Sequence, residues 1–376
     1  MFTSRRSLIG GGVAAAALSF LPVAVRAQNT TQTPARFNPK PGTWSSFEVT
    51  TRVDLTVVDG RSQVWMPIPG LQTTWQSTQA SRFSSNGNSR LMATGVDDVR
   101  LLHTEFSPDV EKPFVELTSW VRTQNRSENL EAAAKGLNAG SLESEEPSAL
   151  AYYTRATRLL PTDGIVAKTA QDITQGARSD VEKVKAIYSW LVANSWRDPK
   201  VRGCGNGDIK TMLETGNLGG KCADVNALFV GLCRASGVPA RDVYGIRLKP
   251  SAFGYKQLSG NPARLQGAQH CRAEVYLQNR GWVAMDPADV TKVMRYESDH
   301  WIKNTDDPVV QPVYQALRGG WEGNWLGWNT AHDVELPGSK EGVLSFFMYP
   351  VAENDAGRLD SYAPDTFQYR ITAREI

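Results

Sequence analysis

Gly219-Gly220-Lys221-Cys222-Ala223-Asp224 opens an apolar segment that runs through Val225, Leu228, Phe229, Leu232 and Cys233 to Ser236-Gly237-Val238-Pro239. Its apolar residues recur at helical spacing, and a glycine followed closely by a proline is the ending a helix favours. The stretch therefore predicts a helix with Cys222 in its first turn. Beyond it, 240–248 reads as a strand, 249–269 as a long polar loop and 272–277 as a second strand. Asn279-Arg280-Gly281 turns the chain back into a third strand at 282–285, which Asp286-Pro287 ends. His270 thus falls just before one strand and Asp286 just after the next, and an antiparallel hairpin brings carboxylate and imidazole close. With the turn centred near Asn279 and Arg280, position 270 faces about 289, and a small bulge at Gly281 would bring Asp286 level.

This placement has chemical consequences. A thiol reacts as thiolate, and the unpaired amides and dipole of a helix start favour that negative charge. The same amides suit a developing oxyanion. Asp224 shares the turn and opposes a thiolate, with Lys221 as an offset. His270 is the base that the thiol needs, and Asp286 would set its tautomer and stabilise the imidazolium.

The run from Gly219 to Asp224, with Phe229, Arg234-Ala235 and Gly237-Val238-Pro239-Ala240-Arg241, resembles the cysteine helix of the bacterial transglutaminase-like superfamily. Gln269-His270-Cys271-Arg272-Ala273-Glu274-Val275 and Gly281-Trp282-Val283-Ala284-Met285-Asp286-Pro287 resemble its histidine and aspartate strands. The resemblance covers about 159–289 and implies a papain-like α+β fold with a Cys222, His270 and Asp286 triad. It does not choose a reaction, because the superfamily contains peptidases, amidases, transamidating acyltransferases and inactive binding members. No acidic loop has calcium-ligand spacing, and no cofactor or metal is expected.

The remainder of the 376 residues is long enough for more than one core. Residues 1–27 read as a signal peptide: a basic start, an apolar stretch at 8–21 and Val25-Arg26-Ala27 at the cleavage site. Arg5-Arg6 within Ser4-Arg5-Arg6-Ser7-Leu8-Ile9 resembles a twin-arginine export signal, so a periplasmic or secreted location is expected. No stable membrane span is expected after cleavage. Losing Arg5, Arg6 and Arg26 takes three positive charges from the net +2 and leaves −1. A nearly neutral chain without a basic block excludes nucleic acid as a partner.

Residues 28–42 read as a linker rich in proline. From there Phe47, Val49, Thr51, Val53, Leu55 and Val57 alternate with polar residues, the pattern of a half-buried strand. Further strands are expected at 63–68, 91–94, 99–105 and 114–123, so 43–126 is expected to be an antiparallel β-sandwich. Residues 127–149 read as a second linker. Ser179 caps an expected helix over 180–196, and 150–376 is assigned to the transglutaminase-like domain with a C-terminal β extension.

Four cysteines in so long a chain are not a disulfide scaffold. Cys233, on the apolar helix face, reads as inert core. Cys204 and Cys271 are either two buried thiols or a disulfide, and on a strand Cys271 should point away from His270. A zinc site built from them lacks standard ligand spacing. His103, His300 and His332 read as structural or surface residues, with His332-Asp333 the one competitor for the base. The tryptophans of the second half read as core packing rather than a substrate groove. The expected activity is cleavage or transfer of the acyl group of a peptide or protein amide through a Cys222 thioester. Hydrolysis is the simplest outcome, with a protein-glutamine transamidase or an idle envelope scaffold that retains the triad as alternatives.

Overall fold

The computed structural model describes residues 37–56, 60–94, 97–130 and 145–376. The signal peptide at 1–27, residues 28–36 of the first linker, Val57, and 131–144 of the second linker lie outside the described residues.

Alternation in the first strand, Trp44–Asp54, puts Phe47, Val49, Thr51 and Val53 inside while Glu48, Thr50 and Arg52 stay half-buried. It is central in a four-stranded antiparallel sheet ordered Gln368–Glu375, Trp44–Asp54, Phe114–Gln124, Gln76–Ser85. A second sheet, ordered Gly357–Arg358, Val351–Asn354, Ser62–Ile68, Val99–Phe106, Asn88–Thr94, completes the sandwich. Val53, Val64, Met66, Leu102, Val115 and Leu117 fill the space between them. Two features escaped the sequence reading. Gln76–Ser85 is a polar strand with no apolar alternation, held at the sheet edge with a bulge between Thr78 and Ser81. The C-terminal strands join the sandwich rather than extend the second domain: Gln368–Glu375 pairs with the first strand and Val351–Asn354 with Ser62–Ile68. The sandwich is therefore closed by residues more than 200 positions downstream of its own start.

The second sheet system runs Gly281–Met285, Gln269–Leu277, Ala240–Arg247, Trp325–Asn329, all antiparallel. Gly245 leaves no room for a side chain, since a Cβ there would approach Leu326 O to 2.0 Å. The helix Cys222–Ala235 packs on this sheet, flanked by Gly164–Ile173, Asp180–Asn194 and Pro287–Tyr296. Leu228, Phe229, Val230 and Leu232 are fully buried, which gives this helix the place of the core's central rod. Gly237, at φ +83°, ends it in the left-handed region.

The described residues belong to one compact unit. The side-chain amide of Gln76, on the sandwich, donates to Gly327 O and accepts from Gly327 N, both at 2.8 Å, on the edge strand of the catalytic sheet. Trp75 packs against Trp321 and Trp325 beside it. One core thus runs through both sheet systems. No helix among the described residues is long and apolar enough to cross a membrane.

Candidate active site

Cys222 is the first residue of its helix and is 2% exposed. A short parallel bridge precedes it, pairing Trp196 with Gly219 and Arg197 with Gly220. The expected helix over 180–196 ends at Asn194, which frees Trp196 and Arg197 for this bridge. Gly219 has to be glycine, because a Cβ would come within 2.5 Å of the Trp196 ring. Ala223 N donates to Cys204 O at 2.9 Å and ties the 203–207 loop to the helix start.

Asp224, expected to oppose a thiolate, has a structural task. Its carboxylate accepts from the backbone amides of Lys221 at 2.9 Å and of Asn206 and Gly207 at 3.0 Å. Burial pushes its pKa up, those three amides pull it down, and the charge of Cys222 is the smallest of its named influences. Gly205, at φ +87°, sits so close that a Cβ would strike the Asp224 carboxylate.

His270 lies within the strand Gln269–Leu277, opposite Gly245, rather than just before a strand as the sequence suggested. The hairpin carries no bulge: its register runs unbroken from Leu277 and Gly281 to Ala273 and Met285. The gap is closed differently. Asp286 leaves the strand as the cap of Pro287–Tyr296, accepting from Asp289 N at 3.1 Å, and this turn swings its other oxygen to 2.7 Å from His270 Nε2. Helix capping and imidazole orientation share one carboxylate.

Asp289, which the sequence reading passed over, places Oδ2 3.3 Å from the same nitrogen. Arg247 Nη2 donates to its other oxygen, and Arg272 Nε lies 3.4 Å from Asp286. Burial and Arg247 push the imidazole pKa down, but Asp286 and Asp289 outweigh them and raise it to about 9. Asp289 falls well below the carboxylate range because Arg247 and His270 overcome its burial, while burial and the charge of Asp289 raise Asp286. The atoms of His270, Asp286 and Asp289 lie within 4.8 Å of one another, a grouping a cation could use. Arg247 and Arg272 already answer both carboxylates, which disfavours one. Asn226, one helical turn beyond Cys222, was also missed. It donates to Cys271 O at 2.8 Å and to Asp286 at 3.4 Å and accepts from Ala288 N at 3.3 Å, linking three elements of the site.

His270 and Cys222 line the same small cavity; Nε2 faces the carboxylates, which leaves Nδ1 as the ring atom for the thiol. Cys204 and Cys271 are free thiols, not a disulfide. Both bear on the Cys222 thiol, while the Cys204 S–H itself donates to Gln269 O at 3.5 Å. The Cys222 thiol is held well below the ordinary thiol range by Cys204, then Cys271, then His270, against its burial. Tyr349 donates to Cys204 Sγ at 2.9 Å. Cys233 is buried mid-helix, and burial pushes its pKa up.

The other candidates lie elsewhere. His103 stacks on Trp65 and bonds Gln63 at 3.0 Å. His332 does not use Asp333: its Nε2 is 3.0 Å from Asp242, while Asp333 accepts from Arg158 N at 2.8 Å. Trp321 and Trp325 are buried against each other, with Arg272 over the Trp325 ring at 4.6 Å.

Residues 167–287, which include all three residues of the expected triad, match the model of the transglutaminase-like superfamily. The chain belongs to this superfamily. It is 33% identical over 350 residues to an uncharacterized protein of Haemophilus influenzae, covering 88% of this chain and 91% of that one. Its fold is similar to that of a candidate cysteine protease from Cytophaga hutchinsonii, with a TM-score of 0.51 over 90% of this chain and 93% of the other at 14% identity. The transglutaminase-like core thus ends at the very residue that begins the Asp286-capped helix.

Proposed function

We propose that this protein is an exported cysteine enzyme of the transglutaminase-like class that takes the acyl group of an amide onto Cys222 and releases it to water. The observation that carries the reading is the His270–Asp286 pair, 2.7 Å apart, set on the same cavity as a buried Cys222 at a helix start. His270 Nδ1 takes the thiol proton, and the thiolate attacks the amide carbon. The Cys222 N–H at the helix start faces the developing oxyanion. His270 gives its proton to the departing amine, leaving a thioester. Water then attacks, His270 takes a proton from it, and the thiolate leaves with the carboxylic acid released. Asp286 keeps the ring in the tautomer that presents Nδ1.

An acyl-donor peptide library incubated with the mature protein tests this. Mass spectrometry should find the acyl adduct on Cys222 and none on the Cys222→Ala protein. An adduct that transfers to added amines faster than to water would make the protein a transamidase. Iodoacetamide labelling of Cys222 at pH 6 no faster than that of an ordinary thiol would leave the idle-scaffold reading.

A further inference from the structure

Beside Cys222 and His270 lies a cavity of about 50 Å³, lined by Arg197, Arg247, Lys292, Ser259 and the 267–269 segment. One water needs roughly 10–15 Å³, so the space suits a carboxylate with a methylene or two. Its wall contains three cationic side chains and no carboxylate. Arg247 is 2% exposed, and while Nη2 serves Asp289, its Nε and Nη1 are buried without any partner. A buried guanidinium with two idle N–H groups has hydrogen bonds left to give to an oxyanion. Lys292 donates only to the neutral carbonyl of Gln257, at 2.6 Å. Burial, then the nearby charge of Arg247, pushes its ammonium down to about 8, against the smaller opposing pull of Asp289. Arg197, set by its bridge to Gly220, has no ion-pair partner among the described residues.

The cavity adjoins a groove of about 810 Å³ through Arg197, Gly267 and Gln269. This groove adds Lys221, Arg264 and Arg370, which make no ion pair among the described residues, and Arg52, which is bonded to Asp54. Its remaining acid is Asp365. The local balance is strongly positive in a chain whose net charge is only +2. Asp289 is paired with Arg247 through Nη2 alone, and neither Lys292 nor Arg197 makes an ion pair with it.

Resting on the nucleophile reading above, we propose that the amide substrate bears a carboxylate a few bonds from the carbonyl that Cys222 attacks, seated against Arg247, Lys292 and Arg197. The enzyme then selects acidic acyl donors over their neutral isosteres.

Iodoacetate and iodoacetamide present the same electrophilic carbon beside a carboxylate or a carboxamide, so their labelling rates at Cys222 test this directly. Wild-type protein should react roughly tenfold faster with iodoacetate, with saturation. In Lys292→Met and in Arg197→Gln the ratio of the iodoacetate rate to the iodoacetamide rate should fall roughly fivefold, and Lys292→Arg should restore it. A preference unchanged in both variants would assign it to the imidazolium alone and overturn the proposal, as would no preference in wild type. If Cys222 resists both reagents, the nucleophile reading fails separately. Calorimetric titration of the wild-type protein then decides: glutarate binding where glutaramide does not keeps the anion site, and absence of glutarate binding removes it.

Discussion

His270 Nε2 lies 2.7 Å from an oxygen of Asp286, whose other oxygen caps the helix Pro287–Tyr296 through Asp289 N. Replacing Asp286 by asparagine keeps a capping oxygen and removes the charge. Acyl transfer should fall by about 10²–10⁴, because the tautomer and the imidazolium lose their support, while the fold survives. Turnover of an acyl-donor peptide alongside thermal unfolding checks this; activity within about threefold of wild type would deny Asp286 its role.

The imidazole pKa of about 9 sets a pH dependence. With the Cys222 thiol well below its ordinary range, the thiolate and imidazolium coexist between the two, so kcat/KM should hold a plateau and decline through about pH 9. Stability follows the same group. The folded value lies above the ordinary 6.5, so the contribution of His270 is complete below about pH 6.5 and is lost as pH rises through about 9. Denaturant titrations of wild type and His270→Gln should differ most at the acid end and converge by about 3 kcal/mol on the alkaline side. A difference constant with pH would contradict this.

Cys204 and Cys271 both pull the Cys222 thiol pKa down, with Cys204 the larger influence. Cys204→Ala should move the midpoint of Cys222 labelling upward in pH, and Cys271→Ala should do so by less. Mass-resolved iodoacetamide rates between pH 4 and pH 9 measure both, and an unmoved midpoint would exclude thiol support.

Asp224 accepts from three backbone amides, of which that of Gly207 makes a buried bond and those of Lys221 and Asn206 part-buried ones. Leaving buried amides unpaired costs about 1–3 kcal/mol each. Asp224→Ala should therefore lose at least about 2 kcal/mol in chemical denaturation, and Gly205→Ala, which drives a Cβ into the same carboxylate, should be comparably unstable. Wild-type stability in either variant would refute the loop-to-helix tie.

Much of this was legible in the chain. Helical spacing from Cys222 to Cys233 and the glycine at 237 gave the central helix, and alternation from Phe47 to Val53 gave the first sandwich strand. Both are local patterns set by which face is buried. The polar edge strand Gln76–Ser85 carries no such pattern, because its partner Phe114–Gln124 supplies the buried face. Asn226 left a faint signal as a polar residue in an otherwise apolar helix, and Asp289 had none beyond a helix start.

By themselves, the motifs around Cys222, His270 and Asp286 carried the resemblance to the family, and the helix start and hairpin, being short-range structures, pointed to the three residues of the expected triad. Only the tertiary structure decided what surrounds them. The Asp286 turn, the second carboxylate, the thiols of Cys204 and Cys271 and the cations Arg197, Arg247 and Lys292 come from separate segments. The C-terminal strands likewise close a sandwich that began more than 200 residues earlier. Such contacts depend on long-range packing and burial, which leave no periodicity in the sequence.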